Sequence, residues 1–211
     1  MKRTGTRRQS REWAPDAPLV IGISGASGSI YGIRLLEMLR TTAIPSCLVM
    51  TRSAEVTLAH ETSLKLRSVR ALADTVYAVE DIAAPVASGS FPTLGMIVAP
   101  CSVRSLSEIA TGVTSNLLTR AADVTLKERR RLVLLVRETP LHAGHLKSMM
   151  QASENGAIIY PPVPAFYARP SSVEALVDQT LGRVLDLFGI ECESVRRWGI
   201  GVGPRRKSKP D

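Results

Sequence analysis

Three short segments gather residue types with chemical capacity. Gly22-Ile-Ser-Gly25-Ala26-Ser27-Gly28-Ser29 concentrates small residues and hydroxyls. Small residues let a backbone come close to a ligand, and the N–H groups opening a following helix attract an anion. The spacing is neither GxGxxG nor GxxxxGK with a following Ser or Thr, and neither Ser24 nor Ser27 completes the GxSxG of a nucleophile elbow. Pro100-Cys101-Ser102-Val103-Arg104-Ser105 offers two hydroxyls, a guanidinium and the start of a helix, a cradle suited to a phosphate or a heterocycle. Arg137-Glu138 sets a cation beside a carboxylate that can serve as acid or base when its surroundings tune it. The plainer readings are a tight turn, a helix cap and a surface ion pair.

Other features are weaker. Residues 160–170 (YPPVPAFYARP) hold four prolines around Phe166 and Tyr167, a stiff segment able to wall an apolar pocket, with Arg169 and Arg183 available to an anion. Lys127-Glu-Arg-Arg-Arg131 fits a solvated helix end better than a nucleic-acid patch. His142 and His145 form HxxH without the glutamate of HExxH, which does not make a metal site.

These segments need a scaffold that brings them together. Continuous apolar runs alternate with helical patterns: strands over Leu19–Ser24, Ser46–Met50, Thr75–Val79, Met96–Ala99, Leu132–Val136 and Ala157–Ile159, with helices over Tyr31–Arg40, Ser53–Thr62, Asn116–Arg129 and a last one to about Phe188. Residues 83–95 read as a loop, and Pro100 as the start of a turn. Ser105 with Glu108, and Ser171 with Glu174, fit capping boxes, and Thr139-Pro140 fits a cap with proline at the first helical position. Strands that are apolar throughout, each followed by a helix, indicate a three-layer α/β sandwich whose mostly parallel sheet is covered on both faces. In such sheets ligands bind beyond the carboxyl ends of strands, which directs attention to 24–29, 51–53, 100–105 and 137–140.

Composition narrows the partners. The 211 residues are 45% hydrophobic, enough for one domain, and no apolar run approaches the length of a membrane span. The net charge of +8 belongs to the ends. Residues 1–11 carry five basic residues and no acid, 196–211 carry six against Asp211, and 12–195 hold 16 basic against 18 acidic. A body with that balance is not a phosphate-backbone footprint, so no nucleic-acid partner is expected, and the basic tails read as solvated. The division expected is a tail over 1–17, one domain over 18–198 and a second tail over 199–211. Three cysteines without CxxC suggest no disulfide framework or zinc site. No secretory signal is visible, and Glu12, Pro15, Asp16 and Pro18 argue against a transit segment, which leaves the cytoplasm as the expected location.

At these residues the chain resembles the UbiX family of flavin prenyltransferases. The resemblance runs from Leu19 to Trp198 through ISGASGSIYGIRLLEML, LVMTRSA, SGSFPTLGMIVAPCS, LLTRAADVTLKERRRLVLLVRETPLHAGHL, GAIIYPPVPAFYARP and VLDLFGI before RRWG. It implies a flavodoxin-like, Rossmann-type fold, a homododecamer with sites at subunit interfaces, and no metal. The implied activity joins dimethylallyl from dimethylallyl monophosphate to N5 and C6 of reduced FMN, for use by UbiD-type decarboxylases. By position, the resemblance assigns Gly25, Ala26, Ser27, Thr51, Ser102, Val103, Arg104, Ser105 and Arg137 to FMN, with Ser27 near its reacting edge. It assigns Tyr167, Arg183 and Lys127 to the prenyl phosphate, Glu138 to proton transfer, Glu61 to an acid offered from a neighbouring subunit, and Trp198 to the cover of the prenyl pocket. Arg104 within PCSVRS is a mild departure from the family pattern. The competing readings are a flavoprotein of the cysteine-decarboxylase kind, a decarboxylase or its subunit, and a flavin- or nucleic-acid-binding regulator.

Overall fold

The computed structural model describes residues 17–192 and 195–203; the basic residues expected as solvated tails at 1–11 and 205–211 lie outside that range. Along the chain run β1 (Leu19–Ile23), α1 (Ser29–Leu39), β2 (Ser46–Met50), α2 (Arg52–Glu61), α3 (Leu66–Arg70), β3 (Thr75–Tyr77), β4 (Gly95–Cys101), α4 (Val103–Thr111), α5 (Leu117–Lys127), β5 (Arg131–Val136), α6 (Ala143–Glu154), β6 (Ile158–Ile159) and α7 (Val173–Asp186). Two further short strands, β7 (Arg197–Trp198) and β8 (Gly201–Val202), pair with each other. The main sheet has the order β3-β2-β1-β4-β5-β6, all pairs parallel. This is the doubly wound order, and it reverses between β1 and β4, where a crevice opens at the carboxyl ends of the strands.

The apolar strands explain the layers. Every residue of β1 and β4 is buried. Successive side chains point to opposite faces, so Leu19, Ile21, Ile23 and Ile97 pack with α1, α2 and α7, whereas Val20, Met96 and Val98 pack under α4, α5 and α6. Each fully buried leucine or isoleucine contributes roughly 1.5–3 kcal/mol through removal from water. The α1 helix comes unusually close to the sheet at Gly32, where a Cβ would lie 2.5 Å from Ile23 Cδ1 and 2.6 Å from the Ala99 carbonyl oxygen.

Four local expectations are corrected. β4 does not turn at Pro100 but continues to Cys101, which pairs with Val136 across a register shift. Proline has no N–H to lose there, and its carbonyl accepts from the Ser24 N–H at 3.2 Å. The α4 cap is Ser102, not Ser105: Ser102 Oγ accepts from the Ser105 N–H at 3.3 Å. Both 102/105 and 105/108 fit a capping spacing, and the helix starts at the earlier serine because β4 ends one residue before it. Thr139-Pro140 does not open α6; the cap is His142, whose Nδ1 accepts from the Gly144 N–H at 3.0 Å and whose ring stacks on His145. For α7 the cap is Ser172 rather than Ser171, accepting from the Ala175 N–H at 3.1 Å. Two short elements lack a sequence signal, α3 and a 3-10 turn over Pro85–Ala87.

The end of α5 makes a testable point about backbone conformation. The N–H groups of Arg129 and Arg130 reach back to Leu126 and Thr125 carbonyls at 2.9 Å each, a Schellman closure. It places Arg129 at φ 56, a left-handed conformation that disfavours any side chain bearing a Cβ. Arg129→Gly is expected to stabilise the fold by about 1 kcal/mol, read as a rise in Tm of a few degrees. A fall in Tm would show that the Arg129 side chain contributes more than the backbone strain costs.

Candidate functional site

The loops following β1, β2, β4 and β5 meet at one edge of the sheet, and hydrogen bonds tie them into one unit. Buried Ser24 is the central tie: its Oγ donates to the Pro100 carbonyl at 2.9 Å and accepts from the Ser102 N–H at 2.7 Å. The Thr51 N–H donates to Ile23 at 3.0 Å, and the Arg137 N–H to Cys101 at 3.1 Å. Thr57 reaches from α2 to the Gly25 carbonyl at 3.3 Å. Gly25, Ala26, Ser27, Thr51, Ser102, Val103, Arg104, Ser105, Arg137 and Glu138 therefore all stand at the carboxyl edge, as the sequence leads one to expect.

Between the β2 and β4 loops lies a cleft of about 620 Å³, lined by Thr51, Ser53, Ser102, Arg104 and Ser105 together with Arg52. Thr51 and Ser102 cap α2 and α4, so two helix N-termini open onto this cleft with their positive ends. Arg52 and Arg104 add charge, each held by a carboxylate, Glu80 at 2.8 Å and Glu108 at 3.0 Å. Glu108 also accepts from Ser115 at 2.6 Å, which is the work it does in place of the expected capping box. The chemistry of this donor set suits a ligand with an anionic group and several hydrogen-bond acceptors.

Glu61, expected as an acid offered to a neighbouring subunit, also has partners within its own chain. Its carboxylate closes on its own chain, accepting from the Gly28 N–H at 2.9 and 3.0 Å and from the Ser29 N–H at 2.8 Å. The reason is local: the N-cap of α1 is Gly28, which has no side chain to satisfy the first N–H groups. Burial pushes the Glu61 carboxyl up, but hydrogen bonds from the Ser27 side chain and the Ser29 and Gly28 N–H groups outweigh it and hold the group below the ordinary glutamate range. A carboxyl lowered in the folded state stabilises above its unfolded pKa and loses that contribution as pH falls through the folded value. Glu61→Gln is therefore expected to lower Tm by a few degrees at neutral pH, about 1 kcal/mol for a charge at a helix N-terminus. The gap from wild type should be full above roughly pH 5 and close at lower pH; a gap independent of pH would rule out the charge as its source.

A second cluster lies on the loop after β6 and on α7. Tyr167 packs edge-on against Trp198, ring centroids 5.9 Å apart. Both Arg183 and Tyr167 act on Tyr160, whose hydroxyl is pushed up chiefly by burial, with Arg183 opposing. Arg183 and Arg197 share Asp186, and the bidentate bond from Arg197, at 2.7 Å to each oxygen, is the main reason the Asp186 carboxyl is held low. Buried Gln179 accepts from the Arg196 N–H at 2.8 Å and donates to the Arg196 carbonyl at 2.9 Å. Arg196 and Arg197, counted with the C-terminal basic run, are thus bonded into the fold.

Lys127 stands apart. It closes α5 just before β5 begins, at the amino edge of the sheet, ion-paired with Glu128. Glu138 follows the far end of β5, whose six residues at about 3.3 Å each separate the two by roughly 20 Å. One chain does not bring Lys127 and Glu138 into a common pocket. Sequence reasoning passed over Tyr31 and Gln179, and it singled out the segments that hold Ser24 and Arg52 without giving either residue a role. Tyr31 is legible only in three dimensions: burial raises its hydroxyl pKa and the nearby Arg137 opposes that rise.

Comparison with known proteins agrees with this geometry. The family profile named Flavoprotein matches residues 7–185. The flavin prenyltransferase UbiX of Escherichia coli is 60% identical over 173 residues, 82% of this chain and 92% of that protein. The flavin prenyltransferase UbiX of Thauera aromatica is 51% identical over 180 residues, covering 85% and 93%. Among solved structures, AnUbiX (PadA1) in complex with FMN and dimethylallyl pyrophosphate superposes with a TM-score of 0.85 at 48% identity, covering 87% of this chain and 97% of that one. With an open crevice at the strand-order reversal, loops tied at the carboxyl edge and this extent of identity, the chain belongs to the Flavoprotein family and, within it, to the UbiX flavin prenyltransferases.

Proposed function

We propose that this chain joins the dimethylallyl group of dimethylallyl monophosphate to N5 and C6 of reduced FMN, releasing phosphate, and that a UbiD-type decarboxylase uses the product. The observation that carries the reading is 60% identity to a flavin prenyltransferase over 82% of the chain. The cleft supports it. Two helix N-termini and the guanidinium groups of Arg52 and Arg104 favour an anionic acceptor such as FMN, and the small residues of the first loop, tied to the same sheet edge through Ser24, leave room for a flat ring beside it. Reduced FMN supplies the electron pairs for the two new carbon bonds.

The remaining work falls to side chains. As the allylic C–O bond breaks, its electron pair leaves with the phosphate, and Lys127, Arg183 and Tyr167 hold the growing negative charge, which removes the need for a metal. Tyr167 and Trp198 wall the allyl group, where aromatic faces stabilise positive charge and exclude water. Arg137 orients the flavin, and Glu138 carries a proton between the reacting carbon skeleton and the departing phosphate. Gly25, Ala26, Ser27, Thr51 and Ser102 to Ser105 line the flavin side.

Since Lys127 and Glu138 stand at opposite sheet edges of one chain, the reading has copies of the chain completing one another's sites. A dodecamer is the expected assembly in the cytoplasm, in line with the dodecameric FMN-dependent UbiX-like protein of Escherichia coli, 45% identical with a TM-score of 0.84. That protein is described as a decarboxylase, which keeps direct decarboxylation as the second reading. The test is anaerobic phosphate release. With reduced FMN the protein should liberate one phosphate per flavin consumed, and with oxidised FMN none. Running dimethylallyl monophosphate and diphosphate side by side, with phosphate measured for the first and diphosphate for the second, identifies the donor. Carbon dioxide release from an aromatic acid by the protein alone, with neither phosphate nor diphosphate released from the respective donors, would favour the decarboxylase.

A further inference from the structure

Among the described residues Arg130 is the only lysine or arginine that is buried, at 9% exposure. A guanidinium in such a place is costly unless its donors are used. Its Nη1 donates to the Phe91 carbonyl at 2.8 Å and to Thr93 Oγ1 at 3.3 Å, and Nη2 donates to the Gly89 carbonyl at 2.7 Å. All three acceptors lie in residues 89–93, a connection outside every helix and strand. The Schellman turn after α5 makes this possible: the chain leaves the helix at Arg129 and carries Arg130 to a buried position, while Lys127 closes the helix and Glu128 caps it. Gly89 lies directly against that pair, since a Cβ there would stand 2.5 Å from Lys127 Nζ and collide with the Glu128 carboxylate.

We infer that Arg130 is a positioning residue for the reaction: by fixing the Gly89–Thr93 loop it sets the wall against which the Lys127 ammonium is held, and so the geometry with which Lys127 meets a phosphate. This rests on the reading of Lys127 as a residue that holds the substrate phosphate.

The test compares Lys127→Gln, Arg130→Lys and Gly89→Ala in the full chain. Three quantities are measured for each: KM and kcat with dimethylallyl monophosphate, FMN affinity by flavin fluorescence, and Tm. Lysine keeps the buried charge but replaces a planar fork of donors with a point charge, so it cannot hold three acceptors in the same geometry. The expected result for Arg130→Lys is a KM raised about tenfold or more, the scale of a lost charge-assisted hydrogen bond. FMN affinity should stay within roughly twofold, because the flavin loops lie at the opposite edge of the sheet. Gly89→Ala keeps Arg130 and the three acceptor groups and displaces the flexible side chains of the Lys127–Glu128 pair, so KM should rise with Tm near wild type.

The outcomes separate the inference from the reading beneath it. An unchanged KM in Lys127→Gln would remove Lys127 from phosphate binding, whatever Arg130 does. A raised KM in Lys127→Gln, with Arg130→Lys lowering only Tm, would make Arg130 merely structural and overturn the inference. If Arg130→Lys does not fold, Gly89→Ala decides, and a wild-type KM there overturns it.

Discussion

Glu138→Gln is expected to bind FMN as tightly as the wild type and to turn over roughly a hundredfold to ten-thousandfold more slowly, the range associated with loss of a positioned acid–base group. The side chain accepts a hydrogen bond from the Thr139 N–H at 2.9 Å through Oε1, and a glutamine oxygen keeps that bond, so the loop after β5 should hold its shape. What the amide loses is the ability to take up and return a proton. The substitution keeps the size and the hydrogen bond of the side chain and removes only its proton chemistry, which is why affinity and turnover should part company. Flavin fluorescence titration and single-turnover phosphate release, run on the same preparation, measure the two quantities. Turnover at the wild-type rate would remove Glu138 from the mechanism.

Gly32→Ala carries the largest expected effect on the fold. In an ordinary helix interior this substitution stabilises by about 1 kcal/mol, because alanine restricts the unfolded chain. Here the opposite should win. The added methyl would stand 2.6 Å from the backbone oxygen of Ala99 in β4, and 2.5 Å from the buried Ile23. A central strand oxygen cannot move aside as a side-chain tip can, so α1 must shift outward. Overpacking of this kind costs about 1–3 kcal/mol. For a chain of this size each 1 kcal/mol lowers Tm by roughly 2–4 °C. Gly28 and Ser29 at the start of α1 move with the helix, so the Glu61 contact and the first loop should loosen and FMN affinity should fall as well. A rise in Tm would show that the sheet yields more readily than its burial suggests.

The sequence carried the scaffold well because a parallel sheet leaves a strong local signature. Runs such as LVIGI and MIVA are apolar on both faces, and each is followed by a helical pattern, so strand positions and the carboxyl-edge rule were readable without any partner information. Caps were less readable for a physical reason. Ser102, Ser105 and Glu108 satisfy two overlapping capping patterns, and the choice depends on where β4 stops pairing with β5, a contact more than thirty residues away in sequence. Thr139-Pro140 failed similarly, since a cap three residues later at His142 satisfies the same helix.

The site was legible in its loops and illegible in its cross-links. Ser24 meets Ser102 across 78 residues and Glu61 meets Gly28 across 33, and nothing in local composition announces such pairings. Family resemblance supplied Lys127, Tyr167, Arg183 and Trp198 by position, yet position along a chain does not say which edge of the sheet a residue occupies. The fold separates Lys127 from Glu138 by the length of β5 and joins Tyr167 to Trp198 instead. That separation is the ground for the proposal that a complete site draws on more than one copy of the chain.

The most direct test of the account is the mass of the flavin. The purified protein is incubated anaerobically with FMN, dithionite and dimethylallyl monophosphate, and the flavin is released and analysed by mass spectrometry. The account predicts a gain of one dimethylallyl unit, absent when donor or reductant is omitted. FMN recovered at its original mass, with the diphosphate donor tried as well, would contradict flavin prenylation by this chain.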